Sequence, residues 1–410
     1  MDRISQPGRI AVVYGSAPGV GGLGHSVAAA ITAAALGADE VFALGPARPP
    51  IPWSLPGGVP RATWMEAPQA ISPWRMGYTW LRWRQGRVAF LHDRHLGRWA
   101  AGQLQQVRPD ACYLMTQVAL ESLRWCRRQS IPTVLDNPNG HIRNFQEVCE
   151  RESRLWFGTK FQGHPTPAML ERVQEEYELS DRIRVYSEWG KQSMMRYGVP
   201  EHKLHVLRQT VNLERFCPAP VRPSRQGPLR VCYVGSLDLR KGFVYLLKAI
   251  RAVGAERIHL RIVGSTGDRH NAKLLAREKS GLQVEVAPGD SLPVYQGSEL
   301  LVIPTLEDGL PFVLVEGMAC GLPLIVTREA GAGEALRQGQ SGWLVPAGDV
   351  DALAAALEQA LLRREELWAM GQRARADVER YAGLQQLEQL SDWFHCRIAD
   401  GAATKHANSI

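Results

Sequence analysis

Two short apolar runs, RIAVVY at 9–14 and LRVCYV at 229–234, each feed a glycine-bearing loop and then a helical pattern. Strand, glycine loop and helix in that order open a doubly wound parallel sheet, and the loop turns helix N-terminal N–H groups towards a ligand. Finding the unit twice constrains this chain more than any other feature, because it predicts two α/β domains of similar size. The length of 410 residues agrees, being too long for one ordinary core. Between the units, residues 209–228 (QTVNLERFCPAPVRPSRQGP) accumulate Pro and Gly without apolar periodicity, as a linker does. The expected division is an N-terminal domain over 1–212, a linker over 213–228 and a C-terminal domain over 229–381. A C-terminal helix over 382–398 is expected to pack back on the N-terminal domain, and 399–410 reads as a polar tail.

In the first half, strands are predicted at 9–14, 40–44, 110–115, 132–136, 181–187 and 203–207, with helices at 91–106, 118–129, 169–179 and 188–197. A dinucleotide fingerprint needs an acidic residue after the second strand to hold a ribose. Here that strand ends in Gly45-Pro46, which disfavours a dehydrogenase. Gly21, Gly22 and Gly24 allow close approach of a ligand or of the opposite domain; a tight turn with no ligand fits equally well. The strand at 132–136 runs into DNPNGHIRNF, and strand C-terminal ends face the crevice in such folds. Asp136, Asn139, His141 and Arg143 are therefore candidates, against the plainer reading of a structural His and a solvated Arg. The acidic segment at 169–179 reads as a solvated face. The Trp/Arg-rich stretch at 74–87 reads either as core with solvated arginines or as a surface for anionic lipid or a bulky acceptor.

In the second half, GSLDLRKGF places Arg240 and Lys241 at a helix N-terminus, where cations and backbone N–H groups together suit a diphosphate. The alternative is two exposed basic residues. Further strands are predicted at 257–264, 283–286, 299–304, 322–327 and 342–345. The stretch at 305–323, TLEDGLPFVLVEGMACGLP, lies between two of them as an acidic, Gly/Pro-punctuated turn followed by a helix carrying Glu316. Asp308 and Glu316 are eight residues apart, so one sits on the loop while the other faces the same cleft from the helix.

The formal charge of +7 favours anionic ligands, and the lack of a Lys/Arg block or finger spacing argues against nucleic acid. Seven scattered cysteines with no CxxC pair point to a reducing compartment and away from a disulfide frame or a metal site. The N-terminus carries no signal-like hydrophobic region. The Ala-rich run at 27–38 is roughly half the length that crosses a bilayer. A cytoplasmic protein is expected, with any membrane contact peripheral.

Four segments carry a resemblance: GGLGHS, YSEWGKQSMMRYGVPEHKLHVLRQTVNLERFCP, YVGSLDLRKGFVYLLKAI and VIPTLEDGLPFVLVEGMACGLPLIVT. Together they resemble the retaining glycosyltransferases of family 4 (glycosyl transferases group 1), which have two Rossmann-like domains facing a central cleft, the GT-B architecture. The last segment is the most specific. This sequence departs from the pattern in having Asp308 at the first acidic position, with Glu307 beside it, Ser236 where Arg is usual, and Asn212 where Asp is usual.

The resemblance implies that Lys241 carries a diphosphate, with Arg240 substituting for the missing Arg. It implies that Glu316 binds the donor ribose and that Asp308, Gly309, Leu310 and Pro311 line the donor sugar. Gly264 would begin the loop that receives the base. Gly22 and His25 would face the diphosphate and acceptor from the first domain, and His141 would lie beside the sugar. The implied reaction moves a sugar from a UDP- or GDP-linked donor to a hydroxyl of a glycan or lipid-linked saccharide, with retention, no metal and no further cofactor. A peripheral contact with the inner membrane is left open. Alternatives are a sugar-nucleotide epimerase on the same fold, which turns over donor without acceptor, and a non-catalytic sugar-nucleotide-binding scaffold.

Overall fold

A computed structural model gives the fold. It describes residues 8–16, 21–47, 61–68, 85–161, 163, 165–221, 226–287, 289–382 and 385–392, without the side chains of 21–25 and 85–87. The first sheet contains β1 (Arg9–Val13), β2 (Glu40–Gly45), β3 (Thr63–Glu66), β4 (Ala111–Met115), β5 (Thr133–Asp136), β6 (Arg182–Val185) and β7 (Leu204–Val206). The second contains β8 (Leu229–Val234), β9 (Ile258–Val263), β10 (Gln283–Ala287), β11 (Leu300–Ile303), β12 (Leu324–Thr327) and β13 (Gly342–Val345). Their orders are 3-2-1-4-5-6-7 and 10-9-8-11-12-13, and every strand pairing is parallel.

The central strands β1, β4, β8, β11 and β12 are largely apolar and buried because helices cover both sheet faces. In the second sheet the two faces separate by alternation. Leu300 and Val302 of β11 enter one core cluster with Val231 and Ile325, while Leu301 and Ile303 enter another with Leu324 and Val326. Each such fully buried side chain contributes about 1.5–3 kcal/mol relative to exposure.

Three features depart from the sequence expectation. Strand β3 arises within a Pro- and Trp-rich stretch, where a four-residue edge strand has too little pattern to be read. The Trp/Arg cluster at 74–87 lies outside the described residues, apart from the backbone where helix Gln85–Val107 begins.

Second, a long helix, Ile142–Phe157, follows β5. His141 caps it, its side chain accepting from the Arg143 N–H, and left-handed Gly158 ends it. Although it belongs to the first half of the chain, it packs on the second domain. Val148 joins that core, and Tyr245 donates to Glu152 at 2.6 Å. Trp156 meets Tyr245 edge-on at 5.8 Å.

Third, the acidic helix Pro167–Leu179 is not wholly a solvated face. Glu176 is fully buried and accepts from Thr116 Oγ1 and from the backbone N–H groups of Gln117, Ala119 and Leu120. It thereby satisfies the open N-terminus of helix Leu120–Gln129, whose own N-cap, Ala119, offers no side-chain acceptor.

The start of the linker is built into the structure. Phe216 packs in the second domain's core, and Arg375 donates to the carbonyls of Phe216 and Ala319, both at 2.6 Å. Residues 385–392 are helical and return to the first domain as expected, with Leu390 in its core and Leu387 against Ala28 and Ala29. Among the described residues no helix is long and apolar enough to cross a membrane.

Candidate active site

In an open parallel sheet, ligands bind beyond the strand C-termini where the strand order reverses. In the second sheet that point lies between β8 and β11, which pair through Leu300–Val231 and Leu301–Cys232. The loops leaving these two strands carry Lys241 and Asp308, and the sheet order brings residues 67 positions apart into an ion pair.

The β8 loop is tightly specified. Asp238 caps the short 3-10 helix Leu239–Lys241 by accepting from the Lys241 backbone N–H at 3.0 Å. Gly242 follows with φ +71°, and a Cβ there would strike the Pro304 carbonyl. Only glycine takes this left-handed turn so close to the β11 exit at little cost. The Leu306 N–H donates back to the Arg240 carbonyl at 2.8 Å, fixing the two loops together.

Adjacent acidic residues then point in different directions. Asp308 pairs with Lys241 and lines a cleft of about 760 Å³. Glu307 is fully buried and turns away, accepting from the Gly140 N–H at 2.9 Å and from Arg240 at 3.3 Å. Burial pushes the Glu307 carboxyl above the ordinary range, against the pull of Arg240. Burial likewise works against the Arg240 charge, but Glu307 and Asp308 more than offset it and hold its pKa high. Arg240 also donates to the Glu307 carbonyl at 2.6 Å and lies over the Phe145 ring at 4.6 Å. It forms part of the cleft wall, already engaged by protein partners, whereas Lys241 has Asp308 as its ionic partner.

The cleft continues to Glu316 on helix Phe312–Ala319. Fully buried Tyr295 donates to Glu316 Oε2 at 2.9 Å. Burial raises the Glu316 pKa to about 7, with the Tyr295 hydrogen bond and Arg215 pulling the other way. Leu310 and Pro311 line the same cleft. Gly309 packs its backbone on Pro138, where any Cβ would meet the Pro138 carbonyl, so it belongs to the contact between domains. Gly264 sits against the Gly235 backbone, where the β8 and β9 loops meet.

Among the described residues, the first domain contributes less to the cleft than the sequence suggested. His141 does not reach the cleft. Its Nδ1 accepts from the Arg143 N–H at 3.2 Å, and its ring stacks on Tyr197 at 4.6 Å beside a separate cavity. Burial and the Arg143 charge lower its pKa to about 4, so the ring is neutral at physiological pH. The helix cap accounts for its place after β5. Arg143 is exposed. Asp136 is buried and accepts from Ser26 at 2.9 Å and Tyr186 at 3.1 Å, tying helix Gly21–Gly37 to the end of β5. Gly22 lies in the first turn of that helix; the His25 side chain lies outside the described residues.

Pro138, Asn139, Gln209 and the ion pair Arg215–Asp290 (2.9 Å) also line the cleft. Sequence reading passed over Tyr295, Gln209 and Arg215. Tyr295 lies in a six-residue helix that reads as a connector, and Gln209 and Arg215 lie in a segment that reads as linker. Nothing in their spacing marks them.

Two parallel-sheet Rossmann-like domains meeting at a cleft, with a C-terminal helix returning to the first domain, define the GT-B architecture. Comparison with known proteins agrees. Residues 228–363 match the family model "Glycosyl transferases group 1". The putative colanic acid biosynthesis glycosyltransferase WcaL of Escherichia coli is 28% identical over 232 residues, which cover 53% of this chain and 55% of that protein. The chain thus spans little more than half the length of this relative. Among solved structures, sucrose-phosphate synthase from Thermosynechococcus elongatus superposes with a TM-score of 0.70 at 16% identity, over 95% of this chain and 99% of that one. Anabaena Alr3699/HepE in complex with UDP and glucose gives 0.66 at 13% identity, over 93% and 97%.

Proposed function

We propose that this protein is a glycosyltransferase that moves a sugar from a nucleoside-diphosphate sugar to a hydroxyl of a glycan or lipid-linked saccharide, with retention at the anomeric carbon. The observation that carries the reading is one cleft of about 760 Å³ lined by both the Lys241–Asp308 pair and the Tyr295-bound Glu316. That volume suits a ligand of this size. The neighbour HepE, which holds UDP and glucose, supports UDP as the first nucleotide to try. The name of WcaL supports a surface polysaccharide as the destination.

In this reading the donor diphosphate exchanges with Asp308 as partner of Lys241. The ammonium then neutralises charge building on the leaving phosphate, and the released Asp308 carboxylate accepts from donor-sugar hydroxyls. The C–O bond to the leaving phosphate breaks through an oxocarbenium-like state. The acceptor oxygen attacks from the same face, and its proton passes to the departing phosphate, so no side-chain base is required. Contact between the domains keeps water from the reacting centre. The reading is tested by incubating the protein with UDP- and GDP-sugars, with and without candidate acceptors. Acceptor-dependent release of nucleotide supports it, and turnover of donor to an epimer without acceptor overturns it.

The raised Glu316 pKa predicts a pH dependence. Ribose hydroxyls donate best to the ionised carboxylate, so UDP affinity rises as pH passes upward through about 7. The Tyr295 hydrogen bond favours the ionised form, so Tyr295→Phe shifts the midpoint higher. Calorimetric titration of both proteins from acid to alkaline pH checks this, and the difference between them cancels the titration of the phosphate itself. Identical profiles would remove Glu316 from the binding site.

A further inference from the structure

Among the described residues, the four-residue turn Glu307–Asp308–Gly309–Leu310 receives three hydrogen bonds from the first domain. The Gly140 N–H donates to Glu307 Oε1 at 2.9 Å, the Ser187 hydroxyl donates to the Gly309 carbonyl, and Gln209 Nε2 donates to the Leu310 carbonyl at 2.5 Å. The donors come from three separate segments, after β5, after β6 and after β7. Asp308 is the charged residue of the turn that points to Lys241 and the cleft. Of the three acceptors, Glu307 is the only side chain; the other two are main-chain carbonyls present in any sequence. Glu307 is fully buried, and its second oxygen reaches Arg240, which also lies 3.8 Å from Asp308. The loop it holds is rigidly shaped: a Cβ on Gly140 would meet Ser193 Oγ, Glu307 Oε1 and the Trp189 ring within 3 Å. The two residues before Gly140, Pro138 and Asn139, line the cleft from the first domain.

We propose that Glu307 is a positioning residue that couples closure of the two domains to assembly of the donor site. By holding Gly140 it sets Pro138 and Asn139 as the second wall of the cleft. Through Arg240 and the turn it also holds Asp308 at the bearing that meets Lys241. The proposal rests on the glycosyltransferase reading above for its kinetic consequence and on geometry alone for its structural one. It gives the neighbouring carboxylates separate tasks, Asp308 at the donor and Glu307 at the domain contact.

The test uses full-length Glu307→Ala and Glu307→Gln with three readouts: hydrogen–deuterium exchange of the peptide over 137–141, UDP affinity, and the partition of donor between transfer and hydrolysis. Glu307→Ala is expected to speed exchange of that peptide about tenfold or more while UDP affinity stays within about threefold, since the residues assigned to UDP in that reading, Lys241 and Glu316, lie in the second domain. Transfer kcat should fall about a hundredfold with a larger hydrolysed fraction, as misplacement of a closing wall predicts. Glu307→Gln keeps an acceptor for Gly140 and should recover both the protection and most of kcat. The proposal is overturned if Glu307→Ala leaves exchange and kcat unchanged. It is equally overturned if both variants lose UDP binding in step with kcat, since that marks a residue needed for the donor domain itself. If the wild-type protein transfers no sugar, the functional reading fails, and the exchange and UDP results still decide the role of Glu307.

Discussion

Lys241→Ala is expected to lower the rate of sugar transfer by about 10²–10³-fold, the usual loss when a preorganised charge at a developing anion is removed. The loss should fall mainly on kcat. Charge on the leaving phosphate is greater in the transition state than in the bound donor, so an interaction that strengthens with it is read in kcat more than in KM. Folding should be little affected. The 3-10 turn is held by the Lys241 backbone N–H on Asp238, which alanine retains, and the side chain is partly exposed. The variant leaves Asp308 beside Arg240 at 3.8 Å, but that guanidinium is already committed to Glu307 at 2.6 and 3.3 Å. It cannot take up the lost role without giving up its hold on Glu307. Steady-state kinetics with saturating acceptor, beside a melting curve, checks this. Transfer at near wild-type rate by a folded variant would show that the diphosphate lies elsewhere.

The second large effect is expected at Glu316. Glu316→Ala should raise donor KM about a hundredfold, or about 3 kcal/mol, in line with hydrogen bonds to a charged acceptor. Here the loss belongs to binding, because the ribose is bound alike in ground and transition states. The variant also leaves the buried Tyr295 hydroxyl without its acceptor, a cost of about 1–3 kcal/mol in stability. Adding Tyr295→Phe separates the two effects. The double variant should regain thermal stability but not donor affinity. If affinity returned along with stability, Glu316 would matter only as the acceptor for Tyr295, and the ribose assignment would fall.

Local pattern carried much of the site. Lys241 and Glu316 follow from strand, loop and helix signals around them, and both line the cleft. Arg240, which also lines the cleft, and His141, which does not, show what that logic leaves open. Each lies just beyond a strand, the correct neighbourhood for a ligand. Yet Arg240 is engaged by Glu307, and His141 serves as a helix cap stacked on Tyr197. Position after a strand places a residue near the crevice edge of the sheet. It does not decide which way a side chain turns once neighbouring helices pack. The missed helix at Ile142–Phe157 has the same cause: its buried face is shared with the opposite domain, so its apolar pattern answers to partners absent from its own half of the chain.

The sequence by itself determined the two sheets, most strand positions and the charged residues Lys241, Asp308 and Glu316 that the cleft holds. These depend on periodicity and on glycines whose effect is local. Tertiary structure alone decided the strand order that sets β8 beside β11 and so joins Lys241 to Asp308 across 67 residues. It also decided which of two adjacent carboxylates faces the cleft. Glu307 and Asp308 carry the same chemistry, so no rule of composition or spacing separates them. The Gly140 N–H, 167 residues away in the chain, claims Glu307 and leaves Asp308 to Lys241. A buried N–H must find an acceptor, and which acceptor lies within reach is fixed only when the two domains come together.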